Sequence, residues 1–296
     1  MGELIVKSND VIEASYRLTL NEQRLILLCI QQIKKGQAIT QDTKFIVRAS
    51  DFSSTFGVSE KRSYSDLKDV ADTLFERRVM IYKPDKDIPS STSTKTRWVQ
   101  AVTYIPNEGA VCLYFGLKVL PYISMLEGNF TRYNIEYVAS MNSVYGLRFY
   151  ELFKCWLMGD KSKIKTIPLN ELKDLLALKD TKGGYQYPSI KDFKLHVIDK
   201  GLDDVNQHTD LQAAYETKKT GRRITDLEFT IKLKSDTKPK QETKRPALPD
   251  AKPNTKPASV PDERESKADL EHLKKLAALG GVPLETLLKP AKKAKA

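Results

Sequence analysis

In "LEFTIKL" every second residue is apolar, so Leu227, Phe229, Ile231 and Leu233 share one face of a strand. Elsewhere the apolar positions follow a helical period. In "LTLNEQRLILLCIQQIKKG", Thr19 and Glu22 stand at capping-box spacing, an apolar run covers residues 25–33, and Gly36 ends the helix. "KFIVRA" then reads as a short strand and "SDFSSTFG" as a brief helix. A longer helix follows in "SEKRSYSDLKDVADTLFERR", with Leu67, Val70, Ala71, Leu74 and Phe75 on one face. Three strands come next, "VMIY", "RWVQAVTYI" and "AVCLYFG", the last two joined by the turn "PNEG".

The same order then returns without repeating residue identities. "SVYGLRFYELFKCWLM" is a helix, "KIKTI" a strand, "LNELKDLLAL" a helix and "SIKDFKLHVIDKGLDDVNQH" a longer helix, and "LQAAYETKKTGRRITDLEFTIKLK" folds as strand, turn and strand. Two helices joined by a short turn and followed by a β-hairpin is the plan of a winged helix-turn-helix. The pattern predicts an α+β chain of two tandem winged-helix domains, residues 1–127 and 128–234. A flexible tail, 235–296, follows, because eight of the fourteen prolines lie there and its first half has almost nothing apolar to bury. Leucines at helical spacing suggest a short amphipathic helix at 268–279 that would fold on a partner.

Charge narrows the partners. The net charge is +11, of which the tail carries +5 from 14 Lys or Arg against 9 Asp or Glu, leaving +6 for residues 1–234. A polyanion or an anionic surface is favoured. No apolar run is long enough for a spanning helix, and the first ten residues lack the basic start and apolar core of a secretory signal, so the reading is cytoplasmic. Cys29, Cys112 and Cys155 lie far apart in apolar surroundings and read as core. Three histidines without ligand spacing, and no nucleophile-elbow, Walker or zincin motif, predict no metal, no cofactor and no enzyme. Trp98 and Trp156 sit in apolar segments and read as core, not as base-stacking platforms.

The cations gain meaning from position. In a winged helix the start of the second helix enters the major groove and the hairpin tip lies on the neighbouring backbone. In the second half the groove candidates are Lys191, Lys194 and His196, with Ile190, Phe193, Val197, Gly201 and Val205 turned to the core. The wing tip carries Lys218, Lys219, Arg222 and Arg223 around Gly221. The equivalent helix start in the first half carries Lys61, Arg62, Ser63, Tyr64 and Lys68, and the hairpin loop there, "KPDKDIPSSTSTKTR", is longer and less charged. That loop has three open readings: disorder, backbone contact or self-association. A plainer reading of all these lysines is a solvated helix face.

The blocks "VKSNDVIEASYRLTLNEQRLILLCI", "GVSEKRSYSDLKDVADTLFERRV", "FTRYNIEYVASMNSVYGLRFYELFKCW" and "KDFKLHVIDKGLDDVNQHTDL", followed by "YETKKTGRRITDLEF", occur in that order over residues 5–234. Together they resemble the initiator Rep proteins of iteron-containing bacterial plasmids. The resemblance implies binding of double-stranded origin repeats to initiate plasmid replication, host helicase and initiator proteins as partners, a homodimer through the first domain, and autorepression. It maps the family's basic recognition helix onto Lys191, Lys194 and His196 and its wing onto Lys218, Lys219, Arg222 and Arg223. Leu195 and His196 stand where the family often has a denser run of arginines. A winged-helix transcriptional regulator with no role in replication is the alternative. A nicking enzyme would need a histidine cluster and a tyrosine nucleophile, and the cluster is missing.

Overall fold

The structure is a computed structural model that describes residues 4–58, 63–85, 88–180 and 182–235. The tail from 236 onward, including the helix expected at 268–279, lies outside the described residues.

The chain opens with β1 (Leu4–Ser8), α1 (Asn9–Ile12) and β2 (Ser15–Tyr16). Then α2 (Leu20–Gln31) begins on the expected capping box: the Glu22 amide donates to the Thr19 hydroxyl and the Glu22 carboxylate accepts from the Thr19 amide. Satisfying both orphan amides pins that helix start. Next come β3 (Phe45–Arg48), α3 (Ala49–Phe56) and α4 (Ser63–Phe75). On α4, Leu67, Ala71 and Leu74 are buried and Val70 and Phe75 half-buried, which matches the predicted face. Four strands follow, β4 (Arg78–Ile81), β5 (Thr94–Arg97), β6 (Val99–Ile105) and β7 (Ala110–Phe115).

The second half contains β8 (Phe130–Asn134), α5 (Glu136–Ala139), α6 (Val144–Leu157), β9 (Ser162–Pro168) and α7 (Leu169–Leu175). Its long helix runs through α8 (Ile190–Phe193), a π-wound stretch (Lys194–Asp199) and α9 (Lys200–His208). The hairpin β10 (Leu211–Thr220) and β11 (Arg223–Leu233) is the last element among the described residues.

Sheet pairing exposes the architectural repeat. In the first half the order is β3-β7-β6 and in the second β9-β11-β10, so in each case the strand after the first helix pairs with the last strand of the hairpin. The hairpin equivalent to the second wing is therefore β6–β7, whose tip is the turn at residues 106–109. This corrects the placing of the wing loop at 83–97. That segment belongs to β4–β5, which pairs with β2, and its last four residues are strand β5. The polar "TKTR" gave no apolar alternation to reveal it.

Both winged helices belong to one compact unit that spans Met1–Gln241. β1 pairs antiparallel with β8, more than a hundred residues later, and carries Lys7 to α6. There the Glu151 carboxylate is fully buried and accepts from Lys7 Nζ at 2.5 Å, from the Tyr133 hydroxyl at 2.5 Å and from the Tyr16 hydroxyl at 3.3 Å. Arg148 hydrogen-bonds the Tyr16 hydroxyl and donates to the carbonyls of Ala14 and Leu175, both at 3.1 Å. Charge this deep is tolerated because opposite charges meet there and hydroxyls and carbonyls take up most of the remaining donors and acceptors, Arg148 Nε being left without a partner among the described residues. It ties the opening strands to the first helix of the second winged helix. Cys29, Cys112 and Cys155 are buried free thiols, and Trp98 and Trp156 are core residues.

Candidate nucleic-acid interface

In the second winged helix, Ser189 caps the long helix by accepting from the Lys191 amide at 3.2 Å. Phe193, Val197 and Val205 are buried, as the apolar spacing requires, and Ile190 is half-buried; Ile198 and Leu202, outside that spacing, are buried as well. Gly201 lies against α6, where a Cβ would come within 2.5 Å of the Phe149 ring, so only glycine lets the helices approach this closely. Asp204 is also buried and accepts from the backbone amides of Asn142 and Ser143, just before α6. It is thus turned inward, which removes one of the carboxylates that would oppose a polyanion.

The three groove residues expected from the sequence do not stand alike. Lys191 is exposed. Lys194 is half-buried, with Nζ 5.5 Å from the centre of the Tyr215 ring, and the Tyr215 hydroxyl donates to Asp199 at 2.8 Å. His196 is exposed but stacked on Tyr187, ring centres 5.9 Å apart and 30° between planes. The π-winding begins at Lys194. A helical turn with one extra residue is uncommon and recurs at functional sites. Within it Leu195 is 51 % exposed, which places a large apolar side chain in water on the same stretch as Lys191 and His196. Charge counting passes over this residue, since only its position on the helix marks it.

The wing folds as alternation predicts, with Leu227, Phe229 and Ile231 buried and Leu233 half-buried. Thr220 pairs with Arg223, so Gly221 and Arg222 form a two-residue turn, and Gly221 takes φ +63°, a region it enters without steric cost. A register shift between Lys218 and Lys219 marks a bulge just before the tip, where extra twist is expected. Lys218 Nζ lies 2.9 Å from Glu228; that hydrogen bond raises the lysine pKa and lowers the glutamate's. Lys219, Arg222 and Arg223 are exposed and, among the described residues, have no ion-pair partner. Of the four expected wing cations, three are free and one is engaged.

The first winged helix is arranged differently. Lys61 and Arg62 lie outside the described residues. Ser63 and Tyr64 open α4 half-buried. Lys68 stands 5.2 Å from the centre of the Tyr104 ring, whose hydroxyl hydrogen-bonds Asp72; that bond pushes the Tyr104 pKa up to about 12. At the tip of β6–β7, Glu108 pairs with Arg48 at 3.1 Å. Among the described residues no group of three or more His, Cys, Asp or Glu could hold a metal ion, and no helix is long and apolar enough to cross a membrane.

Two consecutive helix, strand, helix, helix, hairpin units, each closed by a three-stranded sheet of the same order, define a tandem winged-helix protein. Both units match one family: the first winged helix of "Initiator Replication protein" over residues 4–154, and the second, "Initiator Rep protein", over residues 168–231. The chain belongs to this family of replication initiators. It is 23 % identical to the PI protein of Escherichia coli over 250 residues, which cover 77 % of this chain and 82 % of that protein. It is 25 % identical to a replication initiation protein of Escherichia coli over 242 residues, covering 79 % and 71 %. In structure it is similar to the Pi initiator protein, crystallised in complex with iteron DNA, with a TM-score of 0.66 and 23 % identity over 79 % of this chain and 98 % of that one.

Proposed function

We propose that this chain recognises directly repeated duplex DNA at a plasmid origin and initiates replication there as a binder, without covalent chemistry. The observation that carries the reading is the second winged helix. At one helix start and one hairpin tip it presents side chains that nothing in the described protein engages: Lys191 and Leu195 on the helix, Lys219, Arg222 and Arg223 on the wing. A helix amino terminus favours anions, and cations at a hairpin tip neutralise phosphate. Lys191 suits a guanine edge, and Leu195 suits the methyl group of thymine, which is the apolar feature of the major groove. Lys194 and His196 join them when they leave their aromatic partners, while Ser63, Tyr64 and Lys68, with Lys61 and Arg62, give the first domain a weaker, backbone-directed contact.

The reading divides the winged helices at residues 127 and 128, although β1 reaches across that point to β8. It also implies host helicase and initiator proteins as partners, a second copy of this chain held through the first domain, and a bacterial cytoplasmic setting. The test is to select a duplex from a random-sequence library with the full chain, then compete it against its scrambled form. A preference of ~10³ or more is expected, as is typical of specific DNA binders. Equal competition would overturn the reading. Supercoiled plasmid carrying the selected repeat, incubated with the protein and magnesium, should stay uncut.

A further inference from the structure

Lys173 is a buried cation that has no carboxylate partner among the described residues. It lies in the last turn of α7 with 4 % of its surface exposed, and its Nζ donates to the carbonyl of Tyr187 at 3.0 Å. The ammonium also stands 5.0 Å from the centre of the Phe193 ring and 5.3 Å from that of Tyr185. Burial pushes its pKa down. A buried ammonium held by one carbonyl and two rings is costly, and a leucine of similar reach would not be.

What it holds is equally unusual. Tyr187 has φ +56°, a left-handed conformation that a bulky residue rarely adopts, and Pro188 follows it, narrowing its backbone choices further. Such strain persists only where surroundings over-determine it. The Tyr187 ring is the one on which His196 is stacked. We infer that Lys173 is a positioning residue for base selection: by fixing the Tyr187 carbonyl it sets the ring that holds His196, and so the aim of the π-wound start of the recognition helix. Phe193, on the first turn of that helix, touches the same ammonium, so one group references both the approach to the helix and the helix itself.

The inference rests on the function proposed above, and the experiment separates the two. Lys173→Met is compared with the natural chain for binding to the library-selected duplex and to its scrambled form across a salt series, and by proton NMR of the imidazoles. The chain has only three histidines, so their signals are few enough to assign. The expected result is a tenfold or greater loss of preference for the selected duplex, with scrambled binding and salt slope unchanged. The His196 signal should move toward its unstacked position while that of His208 stays. Tyr187→Gly is the second variant, because it removes the ring at a position where glycine carries no steric cost, and it should give the same pattern. Unchanged preference in either folded variant, an unmoved His196 signal, or an equal fall in both affinities would overturn the inference. Failure of the natural chain itself to prefer any duplex would instead overturn the function, and the positioning role with it.

Discussion

The two winged helices share one sheet order and differ at the points where such folds meet DNA. At the first hairpin tip an acid, Glu108, closes on Arg48; at the second, three cations around Gly221 have no ion-pair partner among the described residues. The first recognition helix carries Asp66, Asp69 and Asp72 along its length, and its Lys68 rests over Tyr104. In the second, Asp204 is withdrawn onto the amides of Asn142 and Ser143 just before α6, and Leu195 stands exposed on the π-wound stretch. Under the function proposed above, one scaffold serves two tasks: the first domain supports and orients, and the second reads and grips.

The largest effect is expected at the foundation that both domains share. Removing the carboxylate in Glu151→Ala leaves Lys7 and Arg148 buried without their counter-ion, a change that costs ~3–5 kcal/mol in such pairs. Urea unfolding should show both domains lost together at a lower midpoint; loss of only one would mean the cluster belongs to that domain alone. Burial by itself would raise the Glu151 pKa, but Lys7 and Arg148 hold it below the ordinary value. Its stabilisation is therefore complete above the unfolded carboxylate range, about pH 4.3, and is lost as pH falls through the lower folded pKa. The stability of Glu151→Gln should decline less steeply on acidification than that of the natural chain.

Next come the reading residues. Lys191→Ala and Leu195→Ala should each cost ~1–3 kcal/mol on the selected duplex and little on scrambled DNA. Ser63→Ala in the first domain should leave the preference intact, and a comparable loss there would erase the division of tasks. Gel shifts over a salt series then rank the wing. Arg222→Ala should flatten the logarithmic salt slope by roughly 0.9, the value for one phosphate contact. Lys218→Ala should flatten it less, since Nζ already faces Glu228, and Arg48→Ala at the other tip should leave it unchanged. The smallest change is expected for Lys68→Ala, which gives up an exposed cation–π contact of about 0.5–1 kcal/mol in thermal stability.

What was legible in the chain was whatever local spacing encodes. The Thr19–Glu22 box, the α4 face and the alternation of β11 each reside within a dozen residues, and all three stand in the structure as read. The wing tip was legible for the same reason. Long-range pairing was not, because nothing in "LIVKS" names "FTRYN" as its partner, nor Lys7 as the partner of Glu151. The first wing is misplaced by local spacing because the four residues of β5 are polar and so read as the end of a long loop, 83–97, between two apolar strands. Spacing did find Phe193 and Val197, but it could not show that the helix between them is wound with an extra residue or that Lys194 leans onto Tyr215. Those depend on what α6 and the hairpin present from outside the helix.

The pairing of β1 with β8 has a consequence for how the molecule is made. Residues 4–8 leave the ribosome well before their partners at 130–134 and Glu151 beyond them, which follow only after more than a hundred further residues. At about 5–20 residues per second the opening strand waits on the order of ten seconds with its hydrogen bonds unmade and Lys7 uncountered. During that interval "LIVKS" is a short apolar segment in search of an edge, and the first winged helix has to condense without it. The docking of β1 is then a late step, completed only once β8 and α6 have emerged to receive it.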